Sequence, residues 1–215
     1  GFVDREGNAY SADLILIILA RDLLSRHPGA KVVIDLKATQ VLFDEIAKLG
    51  GEGVMVQTGH SFVEAKMQEL GSLLGGEVSG HLFFGEDYYG YDDAFVAAAK
   101  VIAILQNSGK DLPQHFVGLP EVFNTPEIKV PCPEESKFEV VRRLTEYFVQ
   151  EYGQDNTLTI DGVRIDFGDG AWGILRASNT SPKLTLRFEA RTAERLDEVK
   201  KIVMDKLGEQ PEVEL

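Results

Sequence analysis

The segment Gly76–Phe84, GEVSGHLFF, places a carboxylate, a hydroxyl and an imidazole within five residues, the first two bracketed by Gly76 and Gly80, at the end of an apolar stretch. A loop there would expose all three. Glu77 could accept hydrogen bonds from two neighbouring hydroxyls, Ser79 could both donate and accept, and the imidazole of His81 could move a proton. The competing reading is a turn in which Glu77 and Ser79 merely satisfy backbone groups. It is not a nucleophile elbow, because Glu77 stands where that motif needs glycine. A second segment, RASNTSP from Arg176 to Pro182, offers a guanidinium fork with hydroxyls from Ser178 and Thr180. Asn179 tolerates the left-handed turn that aims successive amides at an anion, so the loop is a candidate phosphate cradle. A polar turn with a surface arginine is the alternative. Arg187, on the next segment, reads as an ordinary paired surface residue. Lys37 in DLKAT follows an apolar strand, at the kind of edge where open α/β sheets hold ligands. His60 in TGHS precedes a helix whose first amides favour an anion. Either could instead be a solvated surface residue.

The elements that would position these groups fall into two grammars. The first alternates. ADLILIILARDLL behind Ser11 is helical and apolar on nearly all sides, KVVIDL and GVMVQT are buried strands, and TQVLFDEIAKLGG, HSFVEAKMQEL and DDAFVAAAKVIAILQNSG are helices. That pattern predicts a three-layer α/β domain. A proline-rich stretch of little periodicity follows. The second part opens with a helix from about Pro133 to Tyr152, with Phe138, Val141, Leu144 and Phe148 on one stripe. Asp161-Gly162 and Asp169-Gly170 then signal hairpins, KLTLRFEA alternates as a strand, and a helix runs from Thr192 to Gly208. This predicts a small α+β domain, an antiparallel sheet with two helices. The boundaries read as 1–118 for the first domain, 119–132 for a linker and 133–215 for the second.

Composition narrows the partners. A formal charge of −13 disfavours nucleic acid and anionic membranes, which need a broad basic surface. The longest apolar run, Leu14 to Ala20, is too short to span a bilayer. A single cysteine, Cys132, and no signal-like N-terminus favour a cytoplasmic setting.

Taken together and in order, the four segments resemble the phosphomannomutase/phosphoglucomutase family of α-D-phosphohexomutases. GEVSGHLFF is similar to its sugar-recognition loop, RASNTSP with LRFEA to its C-terminal phosphate-binding loop, and DLKAT and TGHS to its active-site turns. The likeness covers essentially the whole chain. It implies the third and fourth of four domains, with the opening GFVDREGNAYSAD similar to the trailing edge of the second. The family's metal loop, DGDxDR, and its phosphoserine loop, TASHNP, do not occur in these 215 residues.

By that resemblance Glu77 and Ser79 hold sugar hydroxyls, while Arg176, Ser178, Asn179 and Thr180 hold the phosphate that is not reacting. Lys37, His60 and His81 line the reacting side, with Lys37 and His81 at positions proposed to assist proton transfer or steady the phosphoryl group. Gln57 stands where some relatives have lysine. The implied activity is interconversion of hexose 1- and 6-phosphates through a bisphosphorylated intermediate, with a bisphosphorylated hexose as activator and Mg2+ as cofactor. No Mg2+ ligands are expected in this chain, which alone should be inactive and prone to self-association. The choice among glucose, mannose and glucosamine phosphates stays open. The alternative reading is a stand-alone, non-catalytic sugar-phosphate-binding or regulatory module.

Overall fold

The computed structural model describes residues 1–213 and divides into two compact units, Gly1–Leu119 and Pro120–Leu215. The first begins with a ribbon of β1 (Phe2–Val3) and β2 (Ala9–Tyr10) and continues through α1 (Ala12–Arg26), β3 (Lys31–Asp35), α2 (Gln40–Lys48) and β4 (Glu52–Val56). Then come α3 (His60–Leu70), β5 (Leu74–Gly76), β6 (Leu82–Phe84) and α4 (Ala94–Ser108). Ser11 occupies the N-cap of α1, but its hydroxyl bonds the Asp13 carboxylate instead of a helix amide. Thr39 caps α2 as expected, accepting from Val41 N at 3.3 Å. His60 does not precede α3 but opens it, and Gly59 with φ +139° is the cap.

The sheet order is β4-β3-β5-β6, with β3 parallel to β4 and β5, and β6 antiparallel to β5. Val32, Val33 and Ile34 of the central strand have no exposure, which is why it reads as an unbroken apolar run. Helix α1 packs on α2, α4 and β5, and α3 packs on β3, β4 and β5. Consecutive glycines in β5 admit neighbours on both faces. A Cβ on Gly75 would lie 2.5 Å from Met67 Sδ in α3, and one on Gly76 2.5 Å from Leu16 Cδ1 in α1.

The second unit contains β7 (Phe123–Asn124), β8 (Ile128–Pro131), α5 (Lys137–Tyr152), β9 (Thr157–Leu158), β10 (Val163–Asp166), β11 (Trp172–Ala177), β12 (Lys183–Ala190) and α6 (Ala193–Gly208). These strands form an antiparallel sheet, β7-β12-β11-β10-β9, with β8 also on the edge of β12. Helices α5 and α6 cover one face, burying Leu144, Phe148, Val199 and Val203 against Leu175, Leu186 and Phe188. The β10–β11 turn puts Asp169 at φ 54° and Gly170 at φ 73°, the two positive angles a tight hairpin turn demands.

Three expectations need correction. Residues 119–132 are not a linker: β7 pairs with Glu189 and Ala190, and β8 with Lys183 through Leu186. Both are edge strands, where proline is tolerated because no ladder bond is lost, and their irregular composition hid them. Phe138 is 58% exposed, because α5 begins at Lys137 and its apolar stripe runs through Val140, Val141, Leu144 and Phe148. Arg187 is buried. Thr185 and Glu189, on the same face of β12, are buried with it, so both faces of this strand are enclosed.

Candidate functional site

In the first unit, strand order reverses about β3: the chain goes to β4 on one side and returns to β5 on the other. The C-terminal ends of β3 and β5 therefore flank a topological switch point, the position where such sheets bind ligands. Lys37 lies two residues beyond β3, Gln57 directly follows β4, and Glu77 directly follows β5. All three stand at one edge of the sheet.

The β5–β6 connection is closed by backbone bonds, Glu77 N to His81 O at 2.9 Å and Gly80 N to Glu77 O at 3.0 Å. Gly80 takes φ +104°, a conformation that suits glycine. This turn leaves Ser79 exposed and Glu77 buried. Glu77 Oε1 accepts from Gly59 N at 2.9 Å, which ties the β5–β6 loop to the cap of α3. His60 and His81 meet edge to face with centroids 4.0 Å apart. Both reach the same carboxylate: Asp92 Oδ2 lies 2.7 Å from His81 Nδ1 and 3.2 Å from His60 Nε2.

Asp92 is a residue the sequence reading missed. Its signal was the pair Asp92-Asp93 ahead of a helix, where one aspartate suffices as cap. Asp93 fills that role, accepting from Phe95 N and Val96 N, and the Tyr88 hydroxyl with these amides holds its carboxyl below the usual range. Lys37 is buried, with Nζ 3.7 Å from Asp35 Oδ2, so it is not the solvated lysine of the alternative reading. The turn carrying it is held by a second unforeseen residue, buried Asp13, whose Oδ2 accepts from Thr39 N at 3.1 Å.

The second unit carries the other loop, between β11 and β12. Arg176 is buried and donates from Nε to Asp161 Oδ2 at 2.8 Å. Its Nη2 is buried with no hydrogen-bond partner among the described residues, as is Oγ1 of Thr185, which sits directly across on β12. Ser178 is buried at the loop's base, its Oγ 3.4 Å from Thr180 N, whereas Asn179 and Thr180 are exposed. The loop is thus anchored at its ends and open in its middle.

Beneath it lies Lys137, wholly buried in the first turn of α5. Its Nζ donates to Glu134 Oε2 at 2.7 Å, Ser178 O at 2.7 Å and Ser181 O at 3.2 Å. A cation in a helix's first turn opposes the helix dipole. Three oxygen acceptors, two of them carbonyls of the loop, offset that cost and explain its position. Sequence patterning could not single it out from other helical lysines. Cys132 is buried, and burial pushes its thiol up, so it is not an activated nucleophile.

The switch-point edge of the first unit thus bears a carboxylate and two imidazoles, and the antiparallel sheet of the second bears a loop with buried Arg176 at its base. Comparisons with known proteins identify the family. Residues 11–123 match the model of "Phosphoglucomutase/phosphomannomutase, alpha/beta/alpha domain III", and residues 127–206 match that family's C-terminal domain. The chain belongs to the phosphoglucomutase/phosphomannomutase family. It is 42% identical over 207 residues to a phosphomannomutase/phosphoglucomutase of Pseudomonas aeruginosa, a match covering 96% of this chain and 44% of that protein. It is also 42% identical over 201 residues to a phosphoglucomutase of Neisseria gonorrhoeae, covering 93% and 43%. A solved family member from Burkholderia thailandensis superposes with a TM-score of 0.84 at 32% identity, covering 99% of this chain and 45% of that one. The chain therefore spans about half the length of these relatives.

Proposed function

We propose that the first unit grips the hydroxyls of a hexose phosphate and the second an oxyanion remote from the reacting centre, as parts of a polypeptide that interconverts hexose 1- and 6-phosphates through a bisphosphorylated intermediate. The observation that carries this reading is Glu77, a buried carboxylate at the switch-point edge, locked in place by the Gly59 amide. A preorganised acceptor of this kind suits a pair of ring hydroxyls, and exposed Ser79 beside it adds a donor. His81, backed by Asp92, is the group to pass a proton to or from the transferring oxygen, with His60 and Lys37 on the same edge. In the second unit, the unpartnered Nη2 of Arg176, with Ser178, Asn179 and Thr180, supplies phosphate donors. The relatives' names, phosphomannomutase and phosphoglucomutase, support the substrate class.

Phosphoryl transfer rests mainly on positioning and on charge neutralisation by a metal. Mg2+, the family's cofactor, takes hard oxygen ligands. Among the described residues the metal-competent trio consists of His60, Glu77 and His81, two-thirds imidazole, so Mg2+ does not fit here and no step is assigned to it. A bisphosphorylated hexose as activator belongs to the same proposal.

The test is calorimetric titration of the chain with glucose 1-phosphate and mannose 1-phosphate. Weak saturable binding, lost in Glu77→Ala and weakened in Arg176→Ala, is expected, with no mutase turnover by these 215 residues even with Mg2+ and glucose 1,6-bisphosphate. Binding unchanged in Glu77→Ala would sink the assignment.

A further inference from the structure

The trio that excludes Mg2+ suits a different cation. One ring nitrogen of His60, one of His81 and one carboxylate oxygen of Glu77 lie within 4.8 Å of one another. Ligands of a tetrahedral zinc ion bind at about 2.0–2.2 Å and so stand roughly 3.3 Å apart. Closing the trio onto a cation asks for side-chain shifts on the order of 1 Å, given those bond lengths. The two imidazoles can make them, because their side chains are 47% and 43% exposed. Glu77 need not move: it is buried and held by Gly59 N at 2.9 Å.

The surroundings add what a bare cluster lacks. Asp92 accepts from His81 at Nδ1, which leaves Nε2 of that ring as the lone-pair nitrogen, and the same carboxylate steadies His60. A carboxylate behind an imidazole fixes its tautomer and strengthens it as a ligand. Two nitrogens, one oxygen and a solvent-facing fourth position form a donor set for zinc and its borderline neighbours.

We propose that His60, Glu77 and His81, oriented by Asp92, form a binding site for a zinc-type divalent cation. The site stands on this geometry alone. Resting on the hexose reading above, one consequence follows: Glu77 cannot serve a cation and a sugar at once, so the two compete.

The experiment is calorimetric titration of zinc chloride into the whole chain at neutral pH in a non-chelating buffer. One saturable site is expected, with magnesium giving no comparable heat. Loss of an outer-sphere carboxylate costs roughly 10- to 100-fold in affinity, so Asp92→Asn should fall in that range, and His60→Ala and His81→Ala should fall at least as far. Glu77→Gln keeps an acceptor for the Gly59 amide, and with it the loop, while weakening the third ligand. A His27→Ala/His115→Ala double variant removes the other two histidines and should bind zinc unchanged. Absence of saturable binding, affinity in His60→Ala and His81→Ala unchanged from the unsubstituted chain, or loss in the His27/His115 variant would overturn the site. Saturating glucose 1-phosphate should raise the apparent zinc Kd. Zinc binding that depends on His60 and His81 yet ignores the sugar upholds the metal site and removes the hexose from this edge.

Discussion

Asp92 receives two imidazoles on one oxygen, and that shared contact decides how His60 and His81 face the sheet edge. If His81 moves a proton as proposed, His81→Gln in a polypeptide that carries out the proposed interconversion should depress kcat far more than substrate affinity, whereas equal losses would mark a binding role. Asp92→Asn tests the support: kcat should fall less than in His81→Gln, KM should hold, and the pH–rate profile should shift because the tautomer of His81 is no longer imposed. Lys137 does the corresponding work under the second loop. Lys137→Met fills the same space but leaves Ser178 O and Ser181 O without their donor. Unpaired buried acceptors cost about 1–3 kcal/mol, so thermal unfolding should come earlier and titrated inorganic phosphate should bind more weakly. A lowered melting temperature with phosphate affinity intact would confine Lys137 to stability.

At the scale of elements, the β5–β6 loop depends on how closely α1 and α3 approach the strand that launches it. Gly75 and Gly76 make that approach possible, and Glu77 is the next residue. Gly76→Ala should press on Leu16 and cost about 1–3 kcal/mol by overpacking, measured by denaturant unfolding, and should displace Glu77 enough to weaken sugar-phosphate binding. Helices α1 to α6 and the longer strands were legible because burial marks them with apolar stripes, alternation or, in α1 and β3, near-continuous apolar runs. The two-residue and proline-bearing edge strands β7 and β8 were not, since an edge needs no apolar alternation of its own. Likewise, Arg187 reads as exposed on any alternating strand, yet both faces of β12 are buried.

Across the molecule, the excess of carboxylates makes acid the revealing perturbation. Burial alone would push Glu45 and Glu86 up, but hydrogen bonds from Arg21 and Lys48 to the first, and from Arg26 and His27 to the second, hold both below the usual range. Groups depressed in the folded state stabilise it above their unfolded value of about 4.3, and this contribution disappears as pH falls toward the depressed folded value. Stability of the first unit should therefore drop below the ordinary carboxylate range. Arg21→Ala, which removes the 3.0 Å bond from Nε to Glu45, should move the acid-unfolding midpoint to higher pH, followed by circular dichroism. An unmoved midpoint would show that Glu45 contributes nothing to acid resistance.

The order of elements, the two domain classes and the loops carrying Glu77, His81 and Arg176 were set by local pattern: hydrophobic period, caps, Asp-Gly turns and short clusters of functional side chains. Residues that act from a distance were decided by tertiary structure alone. Asp92 lies 32 positions from His60, Asp13 lies 26 from Thr39, and Lys137 lies 41 from Ser178. A hydrogen bond between such pairs exists only once strands and helices have packed, because nothing in the local chain brings donor and acceptor together. The physical reason is that periodicity reports which face of an element is buried, while the partner it meets there is chosen by sheet order and register.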